Sequence, residues 1–240
     1  TALRQPLNRR TLTRAGALAA LAPVAAGLQP GRALAQDEAA PDAPGEVTQA
    51  RVDAALAQLP DLAATILAQS GVPGMAVAVV YGDTVVYSGG FGVRDVETGE
   101  AVNADTIFLL ASVSKPLAAT VVSAVVGDGE ISWDTKMADL DPGFALHEAW
   151  PTRQVTLADL FAHRSGLKDH GGDVLEDLGF SRAEIIHRLR YLEPQYSFRD
   201  GYAYTNFGLT AAADAVARSL GTTWEDLSAE RLYAPLGMSK

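Results

Sequence analysis

The sequence contains no cysteine. That excludes disulfides, zinc sites built on thiolates, a thiol nucleophile and a lipidated N-terminal cysteine. It also has no acidic residue before Asp37, although 29 follow. Five of its 19 basic residues, Arg4, Arg9, Arg10, Arg14 and Arg32, precede that point, so positions 36–240 carry a net charge of −15. A surface that acidic repels phosphate backbones and speaks against nucleic-acid partners. No collagen, coiled-coil or repeat period is visible. With 48% hydrophobic and 20% charged residues, the 240-residue chain suits one or two globular domains.

What the first 35 residues do have is a basic start, followed by a run from Ala15 to Leu28 made only of Ala, Leu, Gly, Val and one Pro. The run is too short for a membrane span and suits the apolar region of a signal peptide. Ala33-Leu34-Ala35 offers the small residues a signal peptidase reads, and Asn8-Arg9-Arg10-Thr11-Leu12 resembles the twin-arginine export motif. Residues 1–35 are therefore expected to be a signal peptide, and 36–46 an acidic linker. This predicts a bacterial periplasmic or extracellular protein with no integral span in its mature chain.

Folded structure is expected from Val47. Apolar spacing predicts a helix over 47–70, bent or divided at Pro60. Met75–Tyr81 and Thr84–Tyr87 read as antiparallel strands, joined by a Gly82-Asp83 turn that wants positive φ at its first position. Gly89, Gly90 and Gly92 then loosen the chain, and Glu97–Glu100 is a surface turn. Thr106–Gly127 carries a single charge, Lys115, and predicts a helix buried on all sides. Helical pieces follow over 157–163, 181–192, 206–220 and 223–233, the second opened by a Ser181–Glu184 capping box. The class is α+β, with too few strands for a stable sheet of their own.

Ser-x-x-Lys occurs twice. Ser165–Lys168 lies among glycines, in a loop that gives the two groups no reason to meet. Ser112–Lys115 is followed by Pro116, which is best tolerated in a first helical turn, so a helix is expected to begin near Ser112. Positions i and i+3 then share a face. The apolar flanks Ile107–Ala111 and Leu117–Ala119, with the helix dipole, disfavour a charged amine, and an uncharged lysine can accept a proton from serine. The alternative is a lysine that reaches solvent beside an ordinary serine. Tyr204-Thr205-Asn206 opens an alanine-rich helix. Asn206 can cap it or bind a carbonyl, and Tyr204 can relay protons. The four histidines show no convergence. His170 with Asp169 and Asp173 reads as a polar loop rather than a metal site, and no cofactor is expected.

Ser112-Val113-Ser114-Lys115 and Tyr204-Thr205-Asn206 resemble the Ser-x-x-Lys and Tyr-x-Asn motifs of the serine β-lactamase and penicillin-binding-protein superfamily. The similarity is closest to its class C-like branch, which includes carboxylesterases and D-amino-acid peptidases. The first hairpin, His163-Arg164-Ser165-Gly166-Leu167 and Pro235-Leu236-Gly237-Met238 extend the likeness across 47–240. The resemblance implies a β-lactamase/transpeptidase-like fold, an antiparallel sheet flanked by a mainly helical region. It implies Ser112 as the acylated nucleophile, Lys115 as its base, Tyr204 as proton relay and Asn206 as the substrate-binding amide. The substrate would be a small molecule or peptide with an ester, amide or β-lactam bond. The superfamily's third motif has no match, so 47–240 is expected to be an incomplete domain, truncated before its C-terminal strands and inactive by itself. A slowly acylated or non-catalytic sensor of the same fold is the alternative function.

Overall fold

A computed structural model describes residues 46–238. The expected signal peptide and nearly all of the expected linker lie outside the described residues. The chain divides into two compact units between Leu59 and Pro60. Helix α1, Gln49–Ser70, crosses that division and continues through Pro60 without a break. Its apolar stripe is less covered than its spacing predicts: only Ala63 is buried, while Leu62 and Ile66 are exposed.

In the second unit, β1 (Gly74–Tyr81) and β2 (Thr84–Gly92) form an antiparallel hairpin. Gly82 turns it with φ +58°, as its position in a two-residue turn requires. The register shifts between Val79 and Val80. The glycines after Ser88 continue β2 instead of loosening it. A Cβ at Gly90 would lie 2.5 Å from the Val102 carbonyl carbon. The missing side chain therefore lets the buried Val102 backbone lie against the strand.

The core is helical. It gathers Val121, Val122 and Val125 of α2 (Ser114–Gly127), Met137 of α3 (Met137–Leu140) and Leu157 and Leu160 of α5 (Leu157–Phe161). α4 (Ala149–Gln154) and α6 (Asp173–Asp177) are short, and α7 (Arg182–Arg188) adds Ile185 and Ile186. The element buried on nearly every side is α8, Asn206–Ser219, not the stretch around Lys115. Its alanines let α2, α3, α5, α7 and α9 (Trp224–Ser228) approach closely. By contrast, Thr106–Leu110 is not helical, Ala111–Val113 is a 3-10 turn, and α2 buries one stripe, Ala118, Val121, Val122 and Val125. That i, i+3, i+4, i+7 spacing leaves Thr120 and Ser123 exposed. Among the described residues, no helix is long and apolar enough to cross a membrane.

Two capping boxes set local starts. Ser181 and Glu184 open α7 as expected, and Thr156 and Asp159 open α5. Asp159 does more. Fully buried, it accepts hydrogen bonds from Arg164 Nε (2.8 Å) and from Arg199 Nε (2.9 Å) and Nη2 (2.7 Å). Burial pushes its carboxyl up, but the bonds from Arg199 and Thr156, with the charge of Arg199, hold it below the usual range. This clamp ties the loop at Arg164 to the loop at Arg199.

Candidate active site

Four sequence-predicted residues meet where the first turn of α2 faces the start of α8. Ala111, with φ +45°, bends the chain ahead of Ser112. Ser112 Oγ lies 2.5 Å from Tyr204 Oη and 3.2 Å from Lys115 Nζ. Lys115 Nζ donates to Asn206 Oδ1 at 2.6 Å and stands 4.5 Å from the centroid of the Tyr204 ring. A phenol from 92 residues away and the amine of the same turn thus meet on one serine oxygen, and Asn206 holds the amine from 91 residues away. Ser112 itself is exposed.

The surroundings of Lys115 differ from the apolar sleeve expected of them. Its upstream flank is open: Leu109 is 97% exposed and Phe108 46%. What holds the amine is polar: the serine oxygen, the Asn206 carbonyl and the tyrosine face. Asn206 is likewise not a cap. Thr205 occupies the cap position with extended backbone, and Asn206 is the first helical residue. Its amide reaches across to Lys115 at one end, and at the other its Nδ2 donates to Asp173 Oδ2 at 2.9 Å.

Two of the four histidines, His163 and His170, do converge. His163, buried and at φ +55°, accepts at Nδ1 from the Thr205 N–H (3.2 Å), and its carbonyl accepts from the Ala203 N–H (2.9 Å). The His170 N–H donates to the Tyr204 carbonyl at 2.7 Å. Both imidazoles lie against the Tyr204 ring, with centroids at 4.8 and 5.3 Å. The phenol is therefore fixed by its own backbone and by two rings. In the sequence His163 stands out only as the first residue of the His163–Leu167 motif, in which Gly166 takes φ +89°. The Ser165 hydroxyl accepts from the Leu167 N–H within its own loop.

Electrostatics follow from this packing. A hydrogen bond from Lys115, another from Ser112 and the Lys115 charge lower the Tyr204 phenol; burial and Asp173 oppose them without prevailing. Burial first, then Lys115, lowers His163, which keeps its ring uncharged and able to accept at Nδ1. Among the described residues no group of three or more His, Asp or Glu is arranged to hold a metal ion. The arrangement suits nucleophilic catalysis: an alcohol touching a lowered phenol and an amine.

The β-lactamase family model matches residues 19–240. The chain belongs to the β-lactamase family. It is 33% identical over 170 residues to penicillin-binding protein 4 of Amycolatopsis lactamdurans, covering 70% of this chain and 44% of that one. It is 30% identical over 177 residues to a D-aminopeptidase of Brucella anthropi, covering 70% of this chain and 32% of the relative. Among solved structures, the D-alanine carboxypeptidase of Burkholderia cenocepacia superposes with a TM-score of 0.63 at 26% identity, covering 78% of this chain and 50% of that one. The chain thus spans half or less of the length of these relatives. The fold is β-lactamase/transpeptidase-like, represented here by the hairpin and the helical region.

Proposed function

We propose that the protein is an exported serine hydrolase that works through an acyl-enzyme on Ser112. The observation that carries the proposal is the pair of contacts at Ser112 Oγ, to Tyr204 Oη and to Lys115 Nζ. The Ser112 proton passes to Tyr204 Oη as Oγ bonds to the substrate carbonyl carbon. Lys115 promotes this step by holding the phenol below its ordinary range. The carbonyl oxygen takes the negative charge. The backbone N–H of Ser112, at the unpaired start of a helix, is suited to face it. Collapse breaks the bond to the leaving group, which departs with the proton held by Tyr204. Water then attacks the ester carbon, giving a proton back through Tyr204, and Ser112 Oγ–H is restored.

Asn206 steadies Lys115 through Oδ1, and the second hydrogen of its amide remains to bind a substrate carbonyl. The bond cleaved is that of an ester, amide or β-lactam in a small molecule or peptide. The penicillin-binding protein, the D-aminopeptidase and the D-alanine carboxypeptidase among its relatives support that range. Export is supported by Asn8–Leu12 and the run Ala15–Leu28, and retention of an Arg9→Lys/Arg10→Lys variant in the cytoplasm is the corresponding test.

A fluorophosphonate probe or a fluorescent penicillin should label the full-length protein and not Ser112→Ala. Equal labelling of both would sink the proposal. Turnover of a p-nitrophenyl ester that is lost in Lys115→Ala separates an enzyme from a sensor that is acylated and then stalls.

A further inference from the structure

We infer that Asp173 is a positioning residue of this site: its carboxylate fixes which end of the Asn206 amide faces Lys115. The inference rests on the acyl-enzyme reading above and assigns a role to a group outside its reacting atoms. An amide has an acceptor end and a donor end of nearly the same shape. Only one orientation serves Lys115, whose ammonium donates and needs the oxygen. Asp173 Oδ2 selects that orientation, because a carboxylate accepts and so draws the NH2 end to itself at 2.9 Å.

Three further observations make the carboxylate a fixed part. His170 Nδ1 lies 2.8 Å from the same Oδ2, so one oxygen serves both partners. Facing an acceptor, that nitrogen carries the hydrogen. The other oxygen, Oδ1, is buried without a hydrogen-bond partner. A buried acceptor left unpaired is costly, so the group is placed for what Oδ2 does rather than for its own solvation. Gly172, at φ +101°, brings the loop in. A Cβ there would lie 2.9 Å from the Phe207 ring and 2.8 Å from Ile185. Its absence lets Asp173 sit against the first turn of α8.

The expected consequence runs along a chain of four groups. With no acceptor at position 173, Asn206 is free to turn its NH2 toward Lys115. Two donors then face each other, and Lys115 leaves its place between Ser112 and Tyr204. A displacement of about 1 Å at a reacting group can cost about 100-fold in rate. The pH profile distinguishes this from a purely electrostatic role. The Asp173 charge raises the Tyr204 phenol, so loss of the charge alone would move the alkaline rise in acylation to lower pH. Loss of the Lys115 hydrogen bond, the largest influence on that phenol, moves it to higher pH. The other groups facing this cluster are the His163 and His170 rings, with Asp169 at 4.0 Å from His170 Nε2.

The test uses full-length protein and p-nitrophenyl acetate, comparing wild type, Ser112→Ala, Asp173→Leu and Asp173→Ala, with melting temperatures recorded for each. Asp173→Leu carries the weight, because it fills the same space with no acceptor, whereas Asp173→Ala also empties the loop and an Asn could still turn its amide oxygen to Asn206. The inference predicts that kcat falls about 10- to 100-fold in both Asp173 variants while KM holds, and that the alkaline rise moves up in pH. It further predicts that the swapped double variant, Asp173→Asn/Asn206→Asp, outperforms Asn206→Asp alone, since the swap restores a donor facing an acceptor. A profile that stays or moves down, or a rate loss confined to KM, overturns the inference while Ser112→Ala remains inactive. Activity in Ser112→Ala overturns the reading beneath it as well.

Discussion

Tyr204→Phe removes one oxygen from the site and little else. The ring keeps its place between His163 and His170 and beneath Lys115, and the backbone bonds of Ala203, Tyr204 and Thr205 do not involve the phenol. What disappears is the 2.5 Å contact to Ser112 Oγ, the shorter of the two contacts through which its proton can leave. General acid–base groups contribute about 100- to 10,000-fold. At 1.36 kcal/mol per tenfold, that is about 3–5 kcal/mol of barrier. The folded state loses one partly exposed hydrogen bond, about 1 kcal/mol. The two effects are therefore separable. Single-turnover acylation of the full-length protein by p-nitrophenyl acetate, followed against pH, should show wild type gaining rate as the phenol loses its proton, below the ordinary phenol range. The variant should be slow at every pH and lack that rise, with a nearly unchanged melting curve. A variant that acylates at the wild-type rate with its alkaline rise intact would refute the reasoning.

Lys115→Ala withdraws the hydrogen bond and charge that lower Tyr204, so whatever acylation survives should rise at higher pH than in wild type, as a rate–pH profile will show. Asp159→Asn weakens a clamp whose arginines are about half exposed, so solvent screening brings the loss at neutral pH to about 2 kcal/mol rather than the full cost of breaking a buried pair. The folded-state carboxyl is lowered, so its contribution is complete above the usual carboxyl range and vanishes as pH falls through the lowered value. Urea unfolding should accordingly find wild type and variant far apart at pH 7 and converging in acid. Gly90→Ala pushes a methyl into the Val102 carbonyl and should cost about 1–3 kcal/mol in the same assay, leaving the Ser112 contacts in place.

The site was legible where its chemistry is local. Ser112 and Lys115 share a turn because Pro116 fixes where the helix can begin, and Ser181 with Glu184 announces α7 by a reciprocal cap that depends on four residues alone. The Gly82-Asp83 turn is of the same kind. The pairing of Tyr204 with Ser112 came from motif order, since no periodicity links positions 92 apart. Environment was harder to read. The apolar run Ile107–Leu110 looks like a core segment, yet it is exposed, because hydropathy reports what a residue would gain from burial and not what stands next to it. Alanine carries little hydropathic contrast, so α8 did not advertise itself as the central helix, although small side chains are what allow five neighbours to close on it. His170 and Asp173 read together only as a polar loop, and nothing in the spacing joins them to His163. Their bonds run to the Thr205 N–H, the Tyr204 carbonyl and the Asn206 amide, and partners of that kind leave no trace in residue spacing.

The central claim concerns one oxygen, and mass spectrometry can look at it directly. Full-length protein mixed briefly with p-nitrophenyl acetate, quenched in acid and digested should carry an acetyl group on the peptide containing Ser112. Fragmentation should place the group on that serine, and Ser112→Ala should carry none. An acetyl group found on another side chain, or retained by the Ser112→Ala protein in equal amount, would contradict the account.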